Sequence, residues 1–217
     1  NSSVDELMES LDRINLVEAK IELIGKTPPL HWVVVDGQGK SIIIEPIDKT
    51  LKVYENQVGV LTNSPDYAWH VTNLRNYIGI DMNQVDKRKI GSLLLEPFGQ
   101  GSGTFGLPGD YTPPSRFVRA SFNSLAAVSC KDKKDLLSMA LHVLNTVSIP
   151  KGSVITQRKT IDYTQYTSYM DLANKSYYFK TYDNQNIYKE SMASYGLDSD
   201  RLVVKKLRKT TDYLSLD

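Results

Sequence analysis

Cysteine is almost absent: Cys130 is the single one among 217 residues. No intrachain disulfide can form, and nothing in the composition points to an oxidising compartment. Neither charge is in excess, because 26 Lys and Arg face 25 Asp and Glu for a formal net of +1. That balance lacks the electrostatic footprint by which nucleic acid or an anionic membrane is captured, so a small or neutral partner is expected. Long hydrophobic runs are missing too. The longest, Trp32 to Val35 and Ile42 to Ile44, are far too short to span a bilayer, and the opening Asn-Ser-Ser-Val-Asp-Glu-Leu has neither the basic nor the apolar region of a signal peptide. A soluble, cytoplasmic protein with no membrane and no nucleic-acid partner is the expectation. The chain opens on Asn1 and not on methionine, which points to a numbering that begins downstream of the translation start.

Histidine is scarce as well. His31, His70 and His142 have no second His or Cys three or four residues away, so metal-ligand spacing is absent and neither metal nor cofactor is expected. They read as satisfied or surface histidines. Cys130 lies beside Lys131, Lys133 and Lys134, which could lower its pKa, but no ordered base adjoins it and it reads as an incidental thiol.

What is present is a clear alternation of helical and strand patterns. At this length one globular unit, residues 1–217, is expected, burying roughly 70% of its extended-chain surface. Ser3 followed by Glu6 forms a capping box, and Leu7, Leu11, Ile14 and Val17 predict a helix over 4–17. β-branched runs then predict strands at His31–Asp36, Ser41–Glu45, Leu51–Glu55 and Val58–Asn63. Pro65-Asp66 opens a second helix carrying Trp69, Asn73, Asn76 and Tyr77. From about Asp81 to Pro114 the chain is irregular and glycine-rich, and a loop of that length is usually functional or interfacial. Thr112-Pro113-Pro114 starts a third helix and Asp135–Val147 makes a fourth, ended by Pro150 and Gly152. Strands return at Val154–Gln157, Tyr163–Leu172, Ser176–Tyr182 and Ile187–Ser191. The sum is an α+β domain of layered sheets and helices. The basic end, Arg201, Lys205, Lys206, Arg208 and Lys209, reads as a solvated edge.

Three motifs bear on chemistry. Gly101-Ser102-Gly103-Thr104-Phe105-Gly106 spells the dinucleotide fingerprint, but Leu107-Pro108-Gly109 follows where a helix must begin, so nucleotide binding is not expected. In Leu61-Thr62-Asn63-Ser64-Pro65 a carboxamide stands where a strand ends and a helix begins, a group able to donate to an oxyanion without a charge; on residue types alone, shaping the turn explains Asn63 as well. Arg116 sits in the first turn of the third helix, against the positive end of the macrodipole, where a cation costs a few tenths of a kcal/mol up to about one. A carboxylate, a thiolate or a substrate acid would repay that placement; an exposed arginine is the plain alternative.

These residues belong to longer matching segments. Leu30-His31-Trp32, Ser41 to Pro46, Val60 to Pro65, Trp69 to Tyr77, Gly106 to Phe117, Tyr163 to Ser168 and Tyr177 to Asp183 resemble the choloylglycine hydrolase family of bile salt hydrolases and penicillin V acylases, in order and spacing across nearly the whole chain. The resemblance implies the four-layer αββα fold of N-terminal-nucleophile hydrolases, two antiparallel sheets between helix layers, here incomplete. It implies an amidase acting on a small-molecule linear amide: a cysteine exposed as first residue attacks the carbonyl, its α-amino group serves as base, and the acyl-enzyme is hydrolysed. Asn63 matches the family's oxyanion asparagine and Arg116 the active-site arginine beside the nucleophile. The Trp69-His70 helix and the Phe98-Gly99-Gln100-Gly101 loop are closer to the penicillin V acylase branch of Gram-positive bacteria, and the glycine-rich stretch corresponds to a subunit-packing insertion that implies a homotetramer.

The family's opening strands, with the catalytic Cys and the Arg and Asp after it, have no counterpart in these residues. Asn1 has no nucleophilic side chain, and Ser2 precedes a helix cap instead of lying on a strand. Residues 1–217 alone are therefore expected not to hydrolyse an amide. The alternative to an amidase is a ligand-binding remnant of the same fold without its nucleophile. A nucleotide-dependent oxidoreductase, from a third class, would be retained on a nucleotide resin; flow-through without retention is the expected result.

Overall fold

The computed structural model describes residues 3–22, 25–196, 198–213 and 215–216. Asn1 and Ser2, on which the question of a terminal nucleophile falls, lie outside them. The described chain divides into two units, 1–147 and 148–217. No helix among the described residues is long and apolar enough to cross a membrane.

In the first unit, helix α1 spans Val4–Ser10, and the Ser3 hydroxyl accepts from the Glu6 amide at 3.2 Å, as the capping box predicts. A 3-10 turn, Leu11–Arg13, then ends it, short of residue 17. Ile14 and Val17 continue the periodicity but remain exposed, so the pattern has no core to bury against beyond Leu11. Asp36 ties α1 down by accepting from the Val4 amide at 3.2 Å; that bond first, then those from the Gln38 and Lys40 amides, holds its carboxyl below the usual range.

Strands β1 (Trp32–Val35), β2 (Ser41–Ile47) and β3 (Thr50–Glu55) form an antiparallel sheet in that order. The central strand is covered on both faces, which explains why Ile42-Ile43-Ile44 does not alternate with polar residues. Ile42 and Ile44 pack with Val4 and Leu7 of α1 and with Leu11 of the turn after it. Ile43 faces the other way, into a cluster with Tyr67 and Phe117.

Tyr67 opens helix α2 (Tyr67–Asn73), whose cap Asp66 accepts from the Trp69 amide at 2.8 Å, with a 3-10 turn Leu74–Tyr77 beyond. Phe117 lies on helix α3 (Pro113–Leu125), and helix α4 (Lys133–Asn145) follows, capped by Asp132. The expected strand Val58–Asn63 does not form. Side chains hold the backbone here instead, with Asn56 Oδ1 accepting from the Val60 amide at 3.1 Å and, just before the segment, the Tyr67 hydroxyl from the Gln57 amide at 3.0 Å. Val58, Val60 and Leu61 are apolar because they pack on the Ile43–Tyr67–Phe117 cluster, a demand that mimics strand composition.

The segment 81–114 is less irregular than its sequence. Strands β4 (Arg88–Ile90) and β5 (Leu93–Leu95) pair around a two-residue turn in which Gly91 takes φ +59. Gly103 closes the segment: a Cβ there would lie 1.9 Å from the Asn83 carbonyl oxygen, and its own carbonyl accepts from the Asp81 amide at 3.0 Å. The literal dinucleotide motif makes a 3-10 turn, Ser102–Thr104, with no helix after it until Pro113.

In the second unit, β6 (Val154–Ile155) and β7 (Ile161–Asp162) pair, and β8 (Tyr166–Asp171), β9 (Ser176–Thr181) and β10 (Tyr188–Ser191) form an antiparallel sheet with β9 central. Cross-strand aromatic pairs set its register: Tyr169 stacks on Tyr178 at 5.0 Å and Phe179 on Tyr188 at 5.3 Å. The basic end is partly neutralised, Lys205 bonding both Glu190 oxygens at 2.7 and 2.8 Å and Arg208 pairing with Asp212 at 2.5 Å.

Because Ile43 is fully buried beneath two helices, Ile43→Ala should lower unfolding free energy by about 2–5 kcal/mol, read from denaturant melts.

Candidate active site

Asn63 and Arg116 lie 53 positions apart and meet in space: Arg116 Nη2 donates to Asn63 Oδ1 at 2.7 Å. Arg116 Nε donates to the Tyr111 carbonyl at 3.1 Å, so the guanidinium plane is fixed at two edges. These two acceptors, a side-chain amide and a backbone carbonyl, are both neutral oxygens. Guanidinium has no acceptor, so the bond also fixes which end of the carboxamide faces it. Oδ1 is turned to Arg116, and the Nδ2 amide points elsewhere. Asn63 is exposed, and no protein group among the described residues bonds that amide.

The Asn63 backbone is held separately. His70 Nε2 lies 2.8 Å from the Asn63 carbonyl oxygen, and the imidazole stacks on Phe117 with centroids 4.8 Å apart. Next to this turn Glu45 is buried on β2, on the same face as Ile43. One of its oxygens accepts from the Tyr67 amide at 2.8 Å and the other lies 3.3 Å from His31 Nδ1. A buried carboxylate thus pins the start of α2 to the sheet, and with it the end of the Asn63 turn.

On the arginine's side the chain before α3 is wound onto the helix. Asp110 accepts from the Thr112 amide at 2.9 Å, the Thr112 hydroxyl at 2.5 Å and the Ser115 hydroxyl at 2.6 Å. Thr112 stands at the cap position, as expected, but its hydroxyl serves Asp110 and not the helix amides. The Ser115 bond first, then those from Thr112, hold the Asp110 carboxyl at about 2. Arg119 Nη1 donates to the Pro108 and Asp110 carbonyls at 2.7 and 2.6 Å. The Tyr111 carbonyl that receives Arg116 is therefore presented by a doubly fastened turn.

Of the other residues raised by the sequence, His142 is exposed and His31 serves Glu45. The Cys130 thiol is pushed upward, by partial burial first and then by Asp135 and Asp132, opposite to the lowering that its neighbouring lysines suggested. Sequence reasoning missed His70 as a neighbour of Asn63, and it missed Asp110. The readable signal for the latter was the spacing Asp110-x-Thr112-x-x-Ser115, two hydroxyls in reach of a carboxylate at a helix start.

The chain carries the α+β fold of the N-terminal-nucleophile hydrolases. Over its full length it superposes on 66% of a solved variant of conjugated bile acid hydrolase from Clostridium perfringens, with TM-score 0.90 and 40% identity. It also matches the fold of penicillin V acylase from Agrobacterium tumefaciens, with TM-score 0.66 at 24% identity over 89% of this chain and 52% of that one. A family model for linear amide C–N hydrolases of the choloylglycine hydrolase family matches residues 1–205, and the chain belongs to that family. A curated relative, bile salt hydrolase/transferase of Clostridium perfringens, is 42% identical over 96% of this chain and 64% of its own length. The chain thus spans about two thirds of the relatives it matches.

Asp110 should contribute stability at pH values above 3.8 that is lost as pH falls toward its folded value of about 2. Melting temperature against pH should accordingly fall more steeply through that window for the native protein than for Asp110→Asn.

Proposed function

We propose that residues 1–217 supply the oxyanion donor and the fixed arginine of an amidase that cleaves a linear carbon–nitrogen bond, with a cysteine nucleophile contributed by polypeptide outside these residues. The single observation that carries this reading is the 2.7 Å bond from Arg116 to Asn63 Oδ1, which turns an amide N–H outward beside a permanent positive charge. In the proposed reaction a thiolate attacks the substrate carbonyl while the terminal amine holds its proton. The negative oxygen of the tetrahedral intermediate accepts from Asn63 Nδ2. Collapse breaks the C–N bond, the proton passes to the leaving amine, and water then releases the acid from the thioester. Arg116 favours the anionic form of the sulfur and keeps the carboxamide from flipping.

For the substrate, identities of 40 and 42% to bile acid hydrolases against 24% to a penicillin V acylase favour a conjugated bile acid. This reverses the preference drawn from the Trp69-His70 and Phe98–Gly101 segments alone. Phenoxymethylpenicillin is the second substrate to assay. We also propose a cytoplasmic homotetramer, for which the exposed Phe98 and Phe105, lining a cavity of about 510 Å³ in the 81–114 segment, offer an apolar contact.

In the natural full-length protein, Asn63→Ala should lower kcat about a hundredfold or more while the fold is kept. Arg116→Lys, which cannot bond two edges at once, should lower kcat/KM about tenfold or more. Acid release from conjugated bile acids measures both. Intact mass with terminal sequencing provides the decisive control: a natural polypeptide that begins at Asn1 and has no companion chain would leave a binding remnant in place of an enzyme.

A further inference from the structure

His70 is a costly residue for the place it occupies. Its side chain is 1% exposed, enclosed by Phe117, stacked at 4.8 Å and 16°, and by Trp69, edge-on at 5.5 Å. Nε2 lies 2.8 Å from the Asn63 carbonyl oxygen, which can only accept, so Nε2 carries the proton. With that single ring proton Nδ1 is an acceptor, and among the described residues no protein group bonds it. A buried acceptor without a protein donor carries a desolvation penalty. An apolar side chain of similar size would stack on Phe117 equally well and avoid that penalty. Packing alone does not account for an imidazole here; the Nε2–H bond to Asn63 does.

That bond fixes what the arginine cannot. Asn63 lies in a turn outside the strands, and among the described residues its bonds are two: Arg116 to the side-chain oxygen and His70 to the backbone oxygen. Arg116 anchors the tip of the carboxamide but leaves its base free to swing. His70 anchors the base, because holding the carbonyl of residue 63 fixes the peptide plane from which the side chain departs. The same imidazole lies on Phe117, the residue that follows Arg116 on α3. One side chain therefore registers the asparagine's backbone against the helix that carries its arginine.

We propose that His70 is a positioning residue for Asn63, holding the backbone so that the Nδ2 amide stays aimed at the reacting oxygen. The proposal rests on the oxyanion role proposed above. Two variants separate the hydrogen bond from the packing: His70→Leu keeps apolar contact with Phe117 and loses the donor, whereas His70→Gln places an amide N–H where Nε2 stood. In the natural full-length protein, His70→Leu should lower kcat about tenfold or more with KM within about twofold, and His70→Gln should recover most of that loss. On the Asn63→Ala background His70→Leu should add less than about a twofold further loss, because its effect runs through the missing carboxamide. If His70→Leu does not fold, His70→Met takes its place.

A second reading does not depend on turnover. The ¹⁵N-resolved side-chain amide signals of Asn63 should shift in His70→Leu and stay close to native in His70→Gln. Native kcat in His70→Leu, equal losses in both variants, a full additional loss on the Asn63→Ala background, or unmoved Asn63 signals would each overturn the proposal. A native protein that hydrolyses no amide, yet whose Asn63 signals move as described, would remove the proposed function and leave the positioning role standing.

Discussion

A guanidinium only donates hydrogen bonds, and the local chemistry of this protein follows from that asymmetry at Arg116. A carboxamide is ambivalent, with a donor and an acceptor of nearly equal size, and left alone it presents either. Set against Arg116 it has one stable orientation, oxygen inward and nitrogen outward. The arginine is itself an awkward choice, since a cation in the opening turn of α3 opposes the helix dipole. Asp110 supplies the opposite sign at that helix end, and its three hydrogen bonds keep it ionised over nearly the whole working range of pH. An electrostatic debt at one residue is thus met by another six positions earlier, through a turn that also presents the Tyr111 carbonyl to the guanidinium.

Around this pair the structure spends buried polar groups where apolar ones would be cheaper. Glu45 is buried to fix the first amide of α2, and His70 to hold the carbonyl of Asn63. Both lie against the apolar cluster of Ile43, Tyr67 and Phe117, where low polarity strengthens any satisfied hydrogen bond. A loop residue such as Asn63 gains from this the precision that a strand or helix position would have by default.

The sequence is legible wherever the chemistry is local. The Ser3 box, the Asp66 turn into α2, the proline-led start of α3 and the buried run Ile42–Ile44 all stand where their residue types put them. It misleads where tertiary demand imitates a local pattern. Val58–Leu61 is apolar to serve the core and has no strand to pair with; Ile14 and Val17 repeat a helical spacing after the helix has ended; β4 and β5 are too short to emerge from a glycine-rich background. For the site, residue types left Asn63 and Arg116 each balanced against an ordinary explanation, and family resemblance singled them out. That His70 touches Asn63 was invisible, because a bond to a backbone oxygen leaves no mark on the identity of its acceptor.

Gly103 offers the Asn83 carbonyl only a hydrogen, and the amide of Asp81 bonds back to it, so the stretch between them is a loop closed at its root. Chain strung on such a root lengthens or shortens at an entropic cost that grows only as the logarithm of its size. That stretch carries β4, β5 and Phe98, and the residues leading into α3 lie beyond its root. The molecule can change the surface it shows to its surroundings on one side of that knot without disturbing the asparagine and arginine on the other.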